Sequence, residues 1–226
     1  MWGADSIRSR AIGPTAVLIS TFFLSGCVAA AIPLVLAEGG ALGFEGFKLF
    51  QTGTGGAIRV GFPGKDGKEA PPQPLPNVRR VAVWPHDEGN VRFAEKLAES
   101  GKFEVTPPAK VSVILSDAKI TADLKTLTEQ EQVEAYDTVC RATNADLVFA
   151  SRALGASAET NAFSFSRGNI SSKADLFAYS CSKKSIVWRD QIAMIIEVGD
   201  KIPSEGEQAQ AAGDAWADRI LQSPAA

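Results

Sequence analysis

The sequence has few of the side chains on which catalytic and metal sites most often depend. One histidine, His86, occurs in 226 residues, together with three cysteines. A single histidine leaves one imidazole to act as a base, and no Gly-x-Ser-x-Gly elbow is present. The glycine-rich stretch 53–56 lacks the Gly-Lys-Ser/Thr of a phosphate loop, and the cysteine spacing does not suit zinc. We therefore expect no enzyme, no metal site and no cofactor.

Clustered positive charge is also missing. The chain holds 23 lysines and arginines against 26 acidic residues, for a formal net charge of −3, and it has no long basic run. Proteins that bind nucleic acid need lysine and arginine grouped to face the phosphates. We therefore do not expect nucleic acid as a partner.

A short apolar stretch near the N-terminus is the most informative feature that is present. Two arginines precede an uncharged run over residues 11–23, and Leu-Ser-Gly-Cys follows at 24–27. A positive region, an apolar core and small residues at a cleavage site are typical of a secretory signal. With cysteine directly after Leu-Ser-Gly, the pattern resembles the lipobox of bacterial lipoprotein precursors. The resemblance implies that the signal 1–26 is removed and that Cys27 is lipidated.

Lipidation would set the location of the mature chain. Each buried methylene of an acyl chain, such as palmitate, contributes about 0.8 kcal/mol to membrane binding, so several chains hold a protein firmly. Val28 follows the cysteine, and a residue other than aspartate at that position implies sorting to the periplasmic face of the outer membrane. Two alternatives remain open. The uncharged segment continues to Ala37, which allows an uncleaved transmembrane anchor, and the signal could belong to an ordinary secreted protein.

Composition divides the rest of the chain into three parts. Residues 27–62 hold the lipidated cysteine and a membrane-proximal segment rich in alanine, glycine and phenylalanine, with a short strand near its end. Residues 63–77 are rich in proline and predict an extended linker. Residues 78–226 predict one folded domain.

Within this domain, short apolar runs alternate with helical patterns. We predict strands at 81–84, 103–106, 147–150, 173–180 and 185–197, and helices at 90–100, 128–144 and 204–221. Thr128 and Glu131 have the spacing of a capping box at the start of the second helix. The predicted fold class is α/β, a mixed sheet with parallel βαβ crossovers, an antiparallel hairpin and covering helices.

The order of several short motifs resembles a known family. The motifs are Arg80-Val-Ala-Val-Trp-Pro85, Leu97-Ala-Glu-Ser-Gly-Lys-Phe-Glu-Val105, Ala142-Thr-Asn-Ala-Asp-Leu-Val-Phe149 and Ile186-Val-Trp188. They resemble periplasmic lipoproteins that include the CsgG-type curli-secretion proteins, the LpoB-type activators of penicillin-binding proteins and the N-terminal domain of TolB. The resemblance covers residues 78–223. It implies a non-catalytic accessory or assembly factor that docks another cell-envelope protein. The alternative is a structural subunit, and hence a homo-oligomer, in an outer-membrane or secretion complex.

Two cysteines remain after Cys27. In an oxidising compartment, Cys140 and Cys181 would form one disulfide. The alternative is a pair of buried thiols that pack as small apolar side chains.

Two further groups are candidate binding residues. His86, Asp87 and Glu88 follow the first strand of the domain, and ligands of open α/β sheets gather beyond such strand ends. The alternative is a solvated loop whose acids complement a helix N-terminus. Phe163 and Phe165 alternate with serines in the polar stretch 157–172, which we predict to be a hairpin tip. They are either contacts for a partner protein or an ordinary hairpin face.

Overall fold

The structure is a computed structural model that describes residues 47–52, 56–64, 68–161, 164–198 and 202–226. Its strands are β1 (Lys48–Gln51), β2 (Ala57–Gly61), β3 (Arg80–Val83), β4 (Glu104–Thr106), β5 (Leu147–Asn161), β6 (Ser164–Ser180) and β7 (Ser185–Val198). Its helices are α1 (Glu88–Glu99), α2 (Pro108–Asp117), α3 (Glu129–Thr143) and α4 (Glu205–Gln222). The predicted signal 1–26, Cys27 and most of the segment ahead of β1 lie outside the described residues.

The strands form one mixed sheet in the order β1-β2-β7-β6-β5-β3-β4. β3 is parallel to β4 and to β5, and the other neighbouring pairs are antiparallel. Helices lie between the parallel strands in sequence, because parallel strands need a long crossover connection. The predicted fold class is confirmed.

One face of the sheet is covered by α1 and α4. Phe93 of α1 and Trp216 of α4 are almost fully buried, and their rings stack with centroids 3.7 Å apart. These two helices pack on strand residues that include Val81, Val83, Leu147, Phe149, Leu176 and Trp188. Alternate residues of each strand supply this core because side chains of a strand point to opposite faces in turn.

The other face is covered over β3, β5 and β6 by α2 and α3. Its core includes Val148, Phe177 and Tyr179 from the sheet, Trp84 directly after β3, and Val111, Leu115, Tyr136 and Val139 from the helices. The sequence pattern alone does not assign the apolar run 111–115, which the structure places in α2. Pro108 is the first residue of this helix, where its missing N–H costs no hydrogen bond.

The hairpin of β5 and β6 is longer than predicted. The polar stretch 157–172, expected to be a tip, is largely paired strand, with Ser157 opposite Ser171 and their hydroxyls 2.8 Å apart. A bulge interrupts the pairing between Ala153 and Gly155. This stretch is rich in small and polar residues, and its apolar alternation is limited to Phe163 and Phe165, which is too short to reveal a strand from the sequence.

The sheet also extends further toward the N-terminus than predicted. β2 pairs with β7, and Ile58 and Val60 are at most 1% exposed. Within the segment predicted to be a linker, Leu75 is buried and its backbone N–H donates to the carbonyl of Pro224 over 2.9 Å. The structure therefore differs from the predicted division at residue 78. The folded unit includes β1 and β2, because the apolar side chains of β2 complete the core under α4.

A buried arginine connects three parts of this unit. Arg219 of α4 is 3% exposed, and its Nε donates to Oδ2 of Asp190 in β7 over 2.7 Å. Its Nη2 donates to the carbonyl of Pro71 over 3.0 Å, and its guanidinium lies 4.4 Å from the centroid of the Phe62 ring. Arg219 thus connects the segment after β2 with α4 and with β7.

The two helices on the first face approach each other closely at Gly213 of α4. A Cβ at this position would lie 2.6 Å from the carbonyl oxygen of Gly89 and 2.8 Å from Cβ of Arg92, both in α1. Glycine is therefore needed here for the close helix packing.

Gly213→Ala is expected to lower the free energy of unfolding by about 1–3 kcal/mol, because α1 and α4 must move apart. Gly206→Ala in the first turn of the same helix is the matched control, since the nearest atom to its Cβ would be 3.8 Å away. The control should leave stability unchanged or raise it by up to about 1 kcal/mol, as alanine favours helix. Urea unfolding measures both variants, and an equal loss in the two would contradict this account of the packing.

Candidate functional site

The loop after β3 carries the single histidine of the chain. Nε2 of His86 is 4.0 Å from Oδ2 of Asp87, and both side chains are accessible to solvent. Asp87 is the N-cap of α1, where its Oδ1 accepts a hydrogen bond from the N–H of Asn90 over 2.9 Å. Glu88 is the first residue of the helix, an end where negative charge is favourable. The geometry matches the alternative of a capped helix start, and no group of three metal-binding side chains is found in the described part of the chain.

A buried polar cluster that the sequence pattern does not reveal lies next to this loop. Asn90 is 2% exposed, and its Nδ2 donates to the carbonyl of Trp84 over 2.8 Å. The hydroxyl of Ser151 donates to Oδ1 of Asn90 over 2.9 Å. These bonds attach the start of α1 to the residue that follows β3 and to the N-terminal third of β5. The only sign of this cluster in the sequence is the position of Asn90 in the first turn of a helix, and that position does not show whether the side chain is buried.

An open groove of about 420 Å³ lies between α1 and α4. Its lining consists of Glu88, Val91, Arg92, Glu95, Gly206, Ala209 and Gln210. Nε of Arg92 is 2.7 Å from Oδ1 of Asp214, and this hydrogen bond raises the pKa of the arginine. The lining contains two carboxylates, Glu88 and Glu95, and two apolar side chains, Val91 and Ala209. It contains no nucleophile next to a base.

Cys140 of α3 and Cys181, which follows β6, form a disulfide with Cα atoms 5.6 Å apart. Of the two alternatives derived from the sequence, the structure therefore shows the disulfide. The bond joins the end of α3 to the turn between β6 and β7.

Polar contacts support the same junction. Asp137 of α3 accepts hydrogen bonds from the hydroxyl of Tyr179 and from Nζ of Lys184, each over 2.9 Å. Desolvation opposes the charge on Asp137, but the hydrogen bonds from Lys184 and Tyr179 outweigh it and lower the pKa of the carboxyl. Burial and the contact with Asp137 raise the pKa of Tyr179.

The remaining predicted site residues are only partly covered by the structure. Cys27 and Phe163 lie outside the described residues. The backbone of Phe165 belongs to β6, and its side chain is not among those described. Among the described helices, none has both the length and the apolar character that a membrane span requires. The stretch considered as an uncleaved anchor lies before the first described residue.

Comparisons with known proteins found similarity at the level of structure. No protein-family model matches the chain, and no curated protein shows significant similarity to it. Lipoprotein GNA1162 from Neisseria meningitidis is similar over 64% of this chain and 99% of its own, with 15% identity and a TM-score of 0.41. The PelC dodecamer from Paraburkholderia phytofirmans is similar over 74% of this chain and 98% of its own, with 12% identity and a TM-score of 0.34. The LpoB C-terminal domain from Escherichia coli is similar over 52% of this chain and 82% of its own, with 14% identity and a TM-score of 0.33. At these TM-scores no functional assignment follows.

Proposed function

We propose that this chain is a lipid-anchored protein of the bacterial cell envelope that docks another envelope protein as a non-catalytic accessory or assembly factor. The observation that carries the proposal is Leu-Ser-Gly-Cys at 24–27, directly after a basic and then apolar N-terminal stretch. Acyl chains on Cys27 would hold the protein at the periplasmic face of the outer membrane. The resemblance to CsgG-type, LpoB-type and TolB-type proteins supports an accessory role.

The disulfide between Cys140 and Cys181 supports the same location independently. Such bonds persist in oxidising compartments, including the bacterial periplasm, and are rare in the reducing cytosol. A chain that leaves the cytosol through an N-terminal signal enters a compartment in which this bond is maintained.

The length of the tether limits where the partner can be. The sequence predicts a membrane-proximal segment up to residue 62 and a linker up to residue 77, but the sheet already begins at Lys48. The chain between Cys27 and β1 therefore holds about 20 residues, and even a fully extended chain of that length spans at most about 70 Å. The domain would therefore act close to its membrane, on a partner in or near the same bilayer.

Cys27→Ser is expected to abolish labelling by a fatty-acid analogue and to move the protein from the membrane fraction to the soluble periplasmic fraction. Cys140→Ser with Cys181→Ser is the matched control, because it removes two thiols and leaves Cys27 in place. Metabolic labelling, fractionation and intact-mass analysis measure the result. Labelling that persists without Cys27, or a mass that includes Met1 and no lipid, would overturn the proposed anchor.

The docking role is tested separately from the anchor. Crosslinking in intact envelopes should join the lipidated protein reproducibly to one envelope protein. His86→Ala should leave the associated cellular phenotype unchanged, since the proposed role needs no base. Loss of that phenotype by a folded His86→Ala protein would favour an enzyme, and a discrete homo-oligomer in light scattering would favour a structural subunit.

A further inference from the structure

The strand β5 has a long edge that no other strand of the described chain covers. β3 pairs only with Leu147, Val148 and Phe149, while β5 continues to Asn161 along β6. Residues 152–158 are all exposed. The backbone groups that point away from β6 along residues 151–161 therefore have no strand partner in the described residues. This edge is roughly 35 Å long.

The edge differs from the other two ends of the sheet. β1 and β4 are four and three residues long, and short edge strands are a common protection against pairing with other chains. The β5 edge holds no proline, and of its two charged residues, Arg152 is paired with Asp175 over 3.0 Å and Glu159 lies four positions after Gly155. Beyond the bulge at Gly155, a regular run continues with the small residues Ala156, Ser157 and Ala158. Their side chains leave the backbone accessible to another strand.

Lys173 of β6 gives this edge a charge preference. It is exposed, it lies opposite Gly155, and it has no ion pair or hydrogen bond within the described residues. Gly155 has no side chain, and a Cβ there would meet nothing within 4 Å. A strand added to β5 would lie two strand spacings, about 9.6 Å, from β6. The side chains of a lysine and a carboxylate can together span this distance across Gly155.

We propose that the free edge of β5, residues 151–161, binds an extended segment of a partner protein as an additional strand. Lys173 selects a segment that places an acidic side chain opposite Gly155. The backbone of the partner segment supplies hydrogen-bond partners for the N–H and C=O groups along this edge. The carboxylate supplies a counter-charge for the ammonium group of Lys173. The inference rests on the proposed docking function for the identity of the partner as an envelope protein. The binding itself does not require the lipid.

The test uses the purified full-length protein in detergent and two blocked ten-residue peptides of alternating valine and threonine. The peptides differ in one central residue, which is glutamate or lysine. Hydrogen exchange should show protection of residues 151–161 by the glutamate peptide, which should bind about fivefold more tightly than the lysine peptide. Lys173→Glu should reverse this preference. Lys110→Glu, the same change at an exposed lysine of α2, should leave it as it is.

Three results would overturn the proposal. The first is no protection of residues 151–161 by either peptide at millimolar concentration. The second is an unchanged preference in Lys173→Glu. The third is protection without peptide that grows with protein concentration, because a second copy of the chain would then occupy the edge. The test is independent of the Cys27→Ser experiment, so a result against lipid anchoring can be distinguished from a result against strand addition at residues 151–161.

Discussion

Arg219→Met is expected to lower the free energy of unfolding by about 3–5 kcal/mol, because Asp190 would keep a buried charge without its partner. The Asp190 side chain is 7% exposed, so water does not replace the guanidinium. The substitution also removes the hydrogen bond to the carbonyl of Pro71 and the contact with the Phe62 ring. The segment from Phe62 to Pro71 should therefore become sensitive to proteases at the same time.

Arg59→Met is the matched control for Arg219→Met. Arg59 forms an ion pair of 2.6 Å with Glu197, but the two side chains are 50% and 43% exposed. Exposed pairs of this kind contribute about 0–1 kcal/mol. Combining Arg219→Met with Asp190→Leu should recover most of the loss, because no unpaired charge stays buried. Urea unfolding measures all four proteins, and similar losses for the two single arginine variants would refute the role assigned to Arg219.

Removal of the disulfide is the second large effect that we expect. Cys140 and Cys181 are 41 residues apart in the sequence. Without the bond, the unfolded chain gains loop entropy, and the free energy of unfolding should fall by about 2–4 kcal/mol. Guanidinium unfolding of the protein with and without reductant, and of Cys140→Ala with Cys181→Ala, measures the change.

Cys27→Ser is the control for the disulfide experiment. It should have the same unfolding midpoint as the parent, and that midpoint should remain sensitive to reductant. Thiol titration of the unreduced Cys27→Ser protein should find no free thiol. Two free thiols, or a midpoint that does not respond to reductant, would contradict the bond.

The positions of α1, α3 and α4 were the most predictable part of the fold, whereas α2 was not assigned from the sequence. Thr128 and Glu131 form the predicted capping box at the start of α3, and hydrogen bonds from Thr128 lower the pKa of Glu131. The predicted strand at 147–150 and helix at 204–221 are also present, although the strand continues to Asn161. These signals depend on residues a few positions apart, so they are visible in a sequence without its fold.

The long-range features were less predictable. The stretch 157–172 is polar and rich in serine, and the structure identifies most of it as strand through its pairing with neighbouring strands. The proline-rich segment after β2 has the composition of a linker, yet it packs on the domain through Leu75 and Pro71. Amino-acid composition indicates the conformation that a segment favours in isolation. It did not predict these contacts because they are made with residues distant in the sequence.

By itself, the sequence determined the starts of α3 and α4 and the candidate lipid attachment at Cys27, because each depends on a short run of residues, and the order of the local patterns determined the α/β class. Only the tertiary structure decided that Arg219 is buried, that β1 and β2 join the sheet and that β5 extends past β3 with no further strand on that side among the described residues. Arg219 contacts Asp190 and Pro71 across 29 and 148 positions of the chain. The burial of a residue and the neighbours of a strand depend on which distant segments of the chain pack together. The local sequence pattern does not specify those contacts.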